Sequence, residues 1–266
     1  MFIKKFINLV FSKLGYHICA IQKKEYDELK YRQLIKEIGG LYNKLLFHEM
    51  PPLDDVRINL MSDLLGTAIS EAIYLIYYVN QSLNIDGDIC EFGVAQGATS
   101  ALLANEIRKT EKNIWLFDSF EGLPKPTQKD ILKDDIFGLG SIDKYEGKMA
   151  CAEDLVKDRL GAIDFPASRL KIVKGFIEST VNQPYLPSSV CFAYVDFDFY
   201  EPIFVALNFL DKVLRIGGVI IVDDYDYFSA GAKAAVDEFI SFNKEKYALN
   251  LPIESAGHFC VIERIA

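Results

Sequence analysis

The chain is poor in the residues that build soft-metal sites. Three histidines, His17, His48 and His258, are scattered over 266 residues, and none of the five cysteines forms a CxxC pair. Cys19, Cys90, Cys151, Cys191 and Cys260 stand far apart, mostly inside apolar segments where a free thiol packs as a small hydrophobe. This argues against zinc and fits a reducing, cytoplasmic setting. Basic residues are also in deficit, with 29 Lys and Arg against 38 Asp and Glu and a net charge of -9. No general nucleic-acid binder is expected, because phosphate contacts need concentrated positive charge. A small anionic or nucleotide-linked ligand stays compatible with that balance. Repeats and low-complexity tracts are lacking, and no shift in composition demands two domains.

Half of the residues are hydrophobic, enough to bury one large core. The opening stretch MFIKKFINLVFSKLGYHI, residues 1–18, sets lysines among apolar residues at helical spacing, but it is too short to span a bilayer and has no small-residue cleavage site. Two readings are open for it: a helix docked on its own or a sister subunit, giving a homo-oligomer, or a helix lying on the inner membrane surface with its lysines snorkelling. Residues 22–50 carry a helical rhythm closed by Pro51 and Pro52, and residues 61–83 read as one long helix with Ser62 as N-cap. The expected division is therefore an N-terminal helical arm over 1–60 and one α/β domain over 61–266.

Beyond residue 83 the rhythm changes to short apolar strands between helical stretches: 88–94, 113–119, 169–175, 190–197 and 218–224. Such alternation implies βαβ units and a mainly parallel sheet covered on both faces. The segments KYALNLP and HFCVIERI supply a final strand pair. The insertion between Leu123 and Arg169, polar first and helical from about Ala152, is a candidate lid or a surface elaboration.

In sheets of this kind ligands bind beyond the carboxyl ends of the strands, and chemistry-bearing residues gather there. The first strand runs into 91-EFGVAQGATS-100, where Gly93 permits a tight turn and Gly97 lets backbone approach a ligand at a helix N-terminus. This is not the GxGxxG dinucleotide fingerprint, since Ala95 stands where its second glycine belongs. Asp118 ends the second strand in 115-WLFDSFEGLP-124, where an acid accepts from ribose hydroxyls; a turn cap made with Ser119 is the alternative. The fourth strand delivers Asp196 and Asp198 in 194-YVDFDFYEP-202, and the fifth delivers Asp223 and Asp224 in 219-VIIVDDYDY-227. Carboxylates clustered at adjacent strand ends repel unless protons or a cation intervene, and oxygen-only donors suit Mg²⁺. Asp198 either follows Asp196 into the site or, with Glu201, serves the start of the helix at Pro202. His258 reads as a hydrogen-bonded structural residue, and Tyr200 and Tyr225 as candidates for the acceptor wall.

Taken together, EFGVAQGATS, LFDSFEGLP, the KGFIEST segment, VDFDFYEP and VIIVDDYDY resemble the TylF/MycF family, the macrocin O-methyltransferases, in order and spacing over roughly residues 61–263. The resemblance implies a class I methyltransferase fold, a Rossmann-like α/β domain with a seven-stranded, mainly parallel sheet and helices on both faces. It implies S-adenosylmethionine and Mg²⁺ as cofactors and a sugar hydroxyl of a glycan, glycolipid or glycosylated metabolite as acceptor. Glu91, Gly93 and Gly97 then surround the methionine part of the cofactor, Asp118 holds the ribose, and Ala98, Thr99, Ser119, Gly175 and Phe176 complete the cofactor-binding set. Asp196, Asp223 and Asp224 fall on the metal ligands, with Asp196 also the leading catalytic base. The family's tryptophan-arginine pair is Ala95-Gln96 here, and its LDG glycine is Phe197, so acceptor identity does not carry over. A catechol-type methyltransferase and a non-catalytic cofactor-binding protein are the alternative readings.

Overall fold

The computed structural model describes residues 23–266, with side chains from Asp27 onward. The expected helix over 1–18, with its subunit or membrane contact, lies outside the described residues, as do His17 and Cys19. Among the described residues no helix is long and apolar enough to cross a membrane.

Seven strands form one sheet in the order β3-β2-β1-β4-β5-β7-β6. They are β1 (Asp88–Phe92), β2 (Ile114–Asp118), β3 (Leu170–Lys174), β4 (Val190–Val195), β5 (Leu214–Val222), β6 (Tyr247–Asn250) and β7 (Cys260–Arg264). The first five are parallel, and β7 runs antiparallel to both β5 and β6. The central strands are apolar throughout because both of their faces are covered; all six residues of β4 are buried.

The helices are α1 (Lys23–Leu45), α2 (Asp55–Ser62), α3 (Ile69–Ser82), α4 (Ala98–Ile107), α5 (Glu153–Ala162), the single turn α6 (Ile177–Thr180), α7 (Tyr200–Val213) and α8 (Ala230–Phe242). On one face Ile73 and Ile76 of α3 and Leu102 of α4 pack on Ile89, Phe192 and Ile221, with Ile35 and Tyr42 of α1 in the same cluster. On the other, Ile203 and Leu207 of α7 and Val236 and Phe239 of α8 pack on Phe92, Val195 and Ile220.

The stretch 61–83 is not one helix. It breaks between α2 and α3, over residues 63–68, and Ser62 is not an N-cap: its hydroxyl donates to the Ile58 carbonyl at 2.6 Å inside the last turn of α2. Gly66, at φ 93°, takes a conformation no helix contains, and this is what the apolar periodicity concealed. The break is held by Arg57, whose guanidinium donates to both carboxylate oxygens of Glu106 on α4 at 2.8 and 2.7 Å, while Asn80 of α3 donates to the same carboxylate at 2.6 Å.

Candidate active site

The sheet's pairing continues past the strand ends and stitches the functional loops into one row. Gly93 N–H donates to Phe117 O at 2.9 Å, Asp196 N–H to Phe92 O at 2.7 Å, Asp223 N–H to Val195 O at 2.9 Å, and Gly175 N–H to Asp118 O at 2.9 Å. Above this row opens a cavity of about 410 Å³. Glu91, Gly93, Ala98, Thr99, Asp118, Ser119, Gly175 and Phe176 line it on one side, and Asp196, Asp198, Asp223 and Asp224 on the other.

Of the residues expected to hold the cofactor or the metal, Gly97 alone does not line the cavity. It sits at φ 73° as the residue before α4, and a Cβ there would press on Val156 of α5 at 3.1 Å. Gly93 is required more strictly, because a Cβ would fall 1.8 Å from the Asp196 carbonyl oxygen. The two halves of the cavity meet there, backbone against backbone.

Asp118 uses both oxygens on neighbouring backbone. One accepts from Val94 N–H at 2.7 Å and Ala95 N–H at 3.0 Å, and the other from Phe120 N–H at 2.6 Å. The turn cap is therefore present, and the same carboxylate faces the cavity, where the oxygen that accepts only from Phe120 N–H retains room for a second donor. Glu91 lies beneath the loop at 1% exposure, accepting a hydrogen bond from the Ser100 hydroxyl, and burial pushes its carboxyl up to about 8.

The carboxylate half is more tightly built than the sequence suggests. Tyr194, fully buried in β4, donates its hydroxyl proton to Asp223 at 2.7 Å and lies 3.2 Å from Glu71, a buried acid on α3. Burial first, then repulsion by Asp223, raises Glu71, Asp196 and Asp224 well above the usual carboxylate range, Asp224 to about 10. Asp198 is pushed up to about 7 by burial, against the opposing effect of a hydrogen bond shared with Asp224. Five carboxyls this close cannot all be ionised unless positive charge joins them. The donor chemistry fits a hard divalent cation, although among the described residues no three such side chains already converge as a ligand set.

Asp198 turns into the cavity because the strand has ended and its backbone enters the left-handed region at φ 63°. Ala95 at 44°, Met149 at 65° and Asp224 at 54° share that conformation, so four non-glycine residues of the cavity wall hold uncommon backbone angles. Such clustering marks a functional site. The helix-start role weighed for Asp198 belongs instead to Asp130, whose carboxylate accepts from Tyr200 N–H at 2.7 Å.

The insertion after Leu123 forms a wall rather than loose elaboration. Leu123, Pro124, Ile136 and Met149 line the cavity, and buried Tyr145 packs with Phe199 and Phe228 in a small core of their own. Tyr200 and Tyr225 do not line the cavity; their hydroxyls donate to Glu238 and Asp237 of α8 at 2.9 and 2.8 Å. The tyrosine on the wall is Tyr227, on which His258 stacks with ring centroids 4.2 Å apart. Glu71, Tyr194 and Asp130 left no mark in the sequence reading. A buried glutamate inside the apolar rhythm of 69–82 was the one signal available for them.

Strand order, the glycine turn after β1, the acid at the end of β2 and an antiparallel β7 define the class I methyltransferase fold. The macrocin-O-methyltransferase (TylF) family matches residues 72–264, and the chain belongs to that family. The demethyldecarbamoylnovobiocin O-methyltransferase of Streptomyces niveus is 27% identical over 162 residues, 59% of either chain. The 8-demethyl-8-(2,3-dimethoxy-alpha-L-rhamnosyl)-tetracenomycin-C 4'-O-methyltransferase of Streptomyces olivaceus is 28% identical over 148 residues, 53% of this chain and 54% of its own. The matches thus span little more than half the length of these relatives. Among solved structures, the O-methyltransferase NovP superposes with a TM-score of 0.65 at 22% identity, covering 90% of this chain and all of its own. The calicheamicin methyltransferase CalS11 gives 0.59 at 20% identity, over 92% and 94% of the two chains.

Proposed function

We propose that this protein transfers a methyl group from S-adenosylmethionine to a hydroxyl of a sugar-containing acceptor, with Mg²⁺ held at the ends of β4 and β5. The supporting observation is the two-sided cavity: a glycine loop with a ribose-type acid on one wall, clustered carboxylates on the other. The relative named for methylating a rhamnosyl-bearing tetracenomycin favours a glycosylated acceptor. Residues 61–266 would carry the whole site, with 1–60 as a helical arm.

The sulfonium cofactor supplies an electrophilic methyl group, and the ion, when bound, supplies Lewis acidity that makes the acceptor hydroxyl easier to deprotonate. Glu91, Gly93, Ala98, Thr99, Gly175 and Phe176 enclose the cofactor, and Asp118 with Ser119 accepts and orients the ribose. Asp196, Asp223 and Asp224 are the residues that would hold the ion, with Asp198 hydrogen-bonded to Asp224 beside them. Asp196 takes the acceptor proton, with Asp198 beside it on the same wall. Leu123, Ile136, Met149 and Phe228 exclude water from the transfer path.

Titration calorimetry with S-adenosylmethionine, with and without Mg²⁺, tests the reading together with a mass-spectrometric screen of sugar and catechol acceptors. Asp223→Asn and Asp224→Asn are expected to keep cofactor affinity within about threefold while lowering turnover by about a hundredfold or more, the scale of losing an electrostatic contact to the transition state. Cofactor binding with no transfer to any sugar, and variants indistinguishable from wild type, would refute it. Transfer to catechols alone would replace the acceptor class.

A further inference from the structure

The two carboxylate loops, one after β4 and one after β5, hang from different strands, yet one side chain bonds to the starts of both helices that follow them. Asp130 belongs to the insertion, is 3% exposed and does not line the cavity. One of its oxygens accepts from Tyr200 N–H at 2.7 Å and from the Ser229 hydroxyl at 3.3 Å. Tyr200 is the first residue of α7, just beyond Asp196 and Asp198, and Ser229 caps α8, just beyond Asp223 and Asp224, by accepting from Gly231 N–H at 2.9 Å. The other oxygen accepts from the backbone and hydroxyl of Thr127, both at 2.7 Å, and so fixes Asp130 within the insertion.

The surroundings are cut to this carboxylate. A Cβ on Gly231 would fall 1.8 Å from the Asp130 oxygen and 2.7 Å from Tyr200 N, so only glycine lets the two helix starts close on it. Backbone pairing on either side holds the same join: Ala230 N–H donates to Ile131 O at 2.9 Å and Lys133 N–H to Phe228 O at 3.0 Å. An anion between two helix N-termini is also favoured by both helix dipoles.

We propose that Asp130 is a positioning residue: it sets the spacing between the Asp196/Asp198 loop and the Asp223/Asp224 loop without touching cofactor or acceptor. Its catalytic consequence rests on the methyltransferase reading; the coupling of the two loops does not. Loss of the carboxylate frees the starts of α7 and α8 together, and carboxylates displaced by an ångström lose the alignment that transfer needs.

Hydrogen exchange on the full chain, read by mass spectrometry, tests the coupling directly. In Asp130→Ala, exchange is expected to rise in peptides covering 196–201 and 223–231 alike, while the peptide covering 91–100 stays as in wild type. Turnover is expected to fall about tenfold or more, as for misplaced reacting groups, with the dissociation constant for S-adenosylmethionine within about twofold. Asp130→Asn, which still offers an oxygen to Tyr200 and Ser229 but sets an amide donor against Thr127 N–H, should restore part of both signals and fall between wild type and the alanine variant. Should Asp130→Ala not fold, Gly231→Ala displaces the carboxylate without removing it and should raise exchange in the same two peptides. Exchange confined to the insertion, or an asparagine variant as impaired as the alanine one, would overturn the proposal. A wild-type protein inactive on every acceptor would sink the methyltransferase reading and leave the exchange result to decide this one.

Discussion

Glu91 is an acid that the fold keeps in an apolar place, and this has a consequence in pH. Its carboxyl, raised by burial to about 8, holds a proton in the folded chain that the unfolded chain releases near its ordinary value of 4.5. Between these values the native state binds more protons than the unfolded one, so stability is greatest at the acid side and falls as pH rises, levelling off above the folded value. Glu91→Gln mimics the protonated form. The difference in urea-unfolding free energy between pH near 5.5 and near 8 should shrink by up to about 3 kcal/mol in that variant; an unchanged difference would mean the acid is ionised in the native state. Asp118 makes a different prediction. Asp118→Asn turns one of its accepting oxygens into a donor facing backbone N–H groups, and calorimetry should show cofactor affinity falling about 10- to 100-fold, equivalent to roughly 1.4–3 kcal/mol. Residues such as Asp118, Asp196 and Asp224 were legible because each ends a strand whose apolar run is plain in the sequence. Glu71 and Tyr194 were not, because they sit in the interior of apolar segments and acquire a partner only when α3 crosses β4.

At the scale of elements, the join between α2, α3 and α4 sets one edge of the cavity. Leu65, Gly66 and Thr67, in the break between α2 and α3, line it, and the Thr67 and Thr99 hydroxyls lie 3.2 Å apart across its edge. Arg57 and Glu106 hold this geometry from behind, with the Glu106 side chain fully buried. Glu106→Ala leaves the Arg57 guanidinium without its two-point partner and should destabilise the fold by about 3 kcal/mol, read as a lower urea midpoint. Cofactor affinity should weaken as well, since the cavity edge loosens; a variant with wild-type midpoint and affinity would show the join to be incidental. Strand positions were legible to within a few residues, as period and flanking turns fix them locally. The break at 63–68 was not, because apolar residues keep a helical rhythm on both sides of it and the turn depends on Gly66 and on contacts from α4.

For the whole molecule, the sheet order explains why residues far apart in sequence form one site. β1 lies between β2 and β4, and β5 lies beside β4, so the glycine loop, Asp118 and the four aspartates emerge side by side. That assembly could be expected from alternating strands and helices alone. What closes it over stays open in the sequence between a lid and a surface elaboration: the first half of the insertion has no period of its own, and its place as a wall depends on Asp130, Tyr145 and Leu123 meeting α7 and the start of α8. Labelled methyl transfer by the wild-type chain is the most direct test of the proposed activity. With methyl-labelled S-adenosylmethionine and a panel of sugar glycosides, label should appear on a sugar oxygen with Mg²⁺ present and fall by about a hundredfold or more with a chelator, as expected when Lewis acidity is removed. Label transferred equally well in chelator, or never transferred to a sugar, would contradict the account.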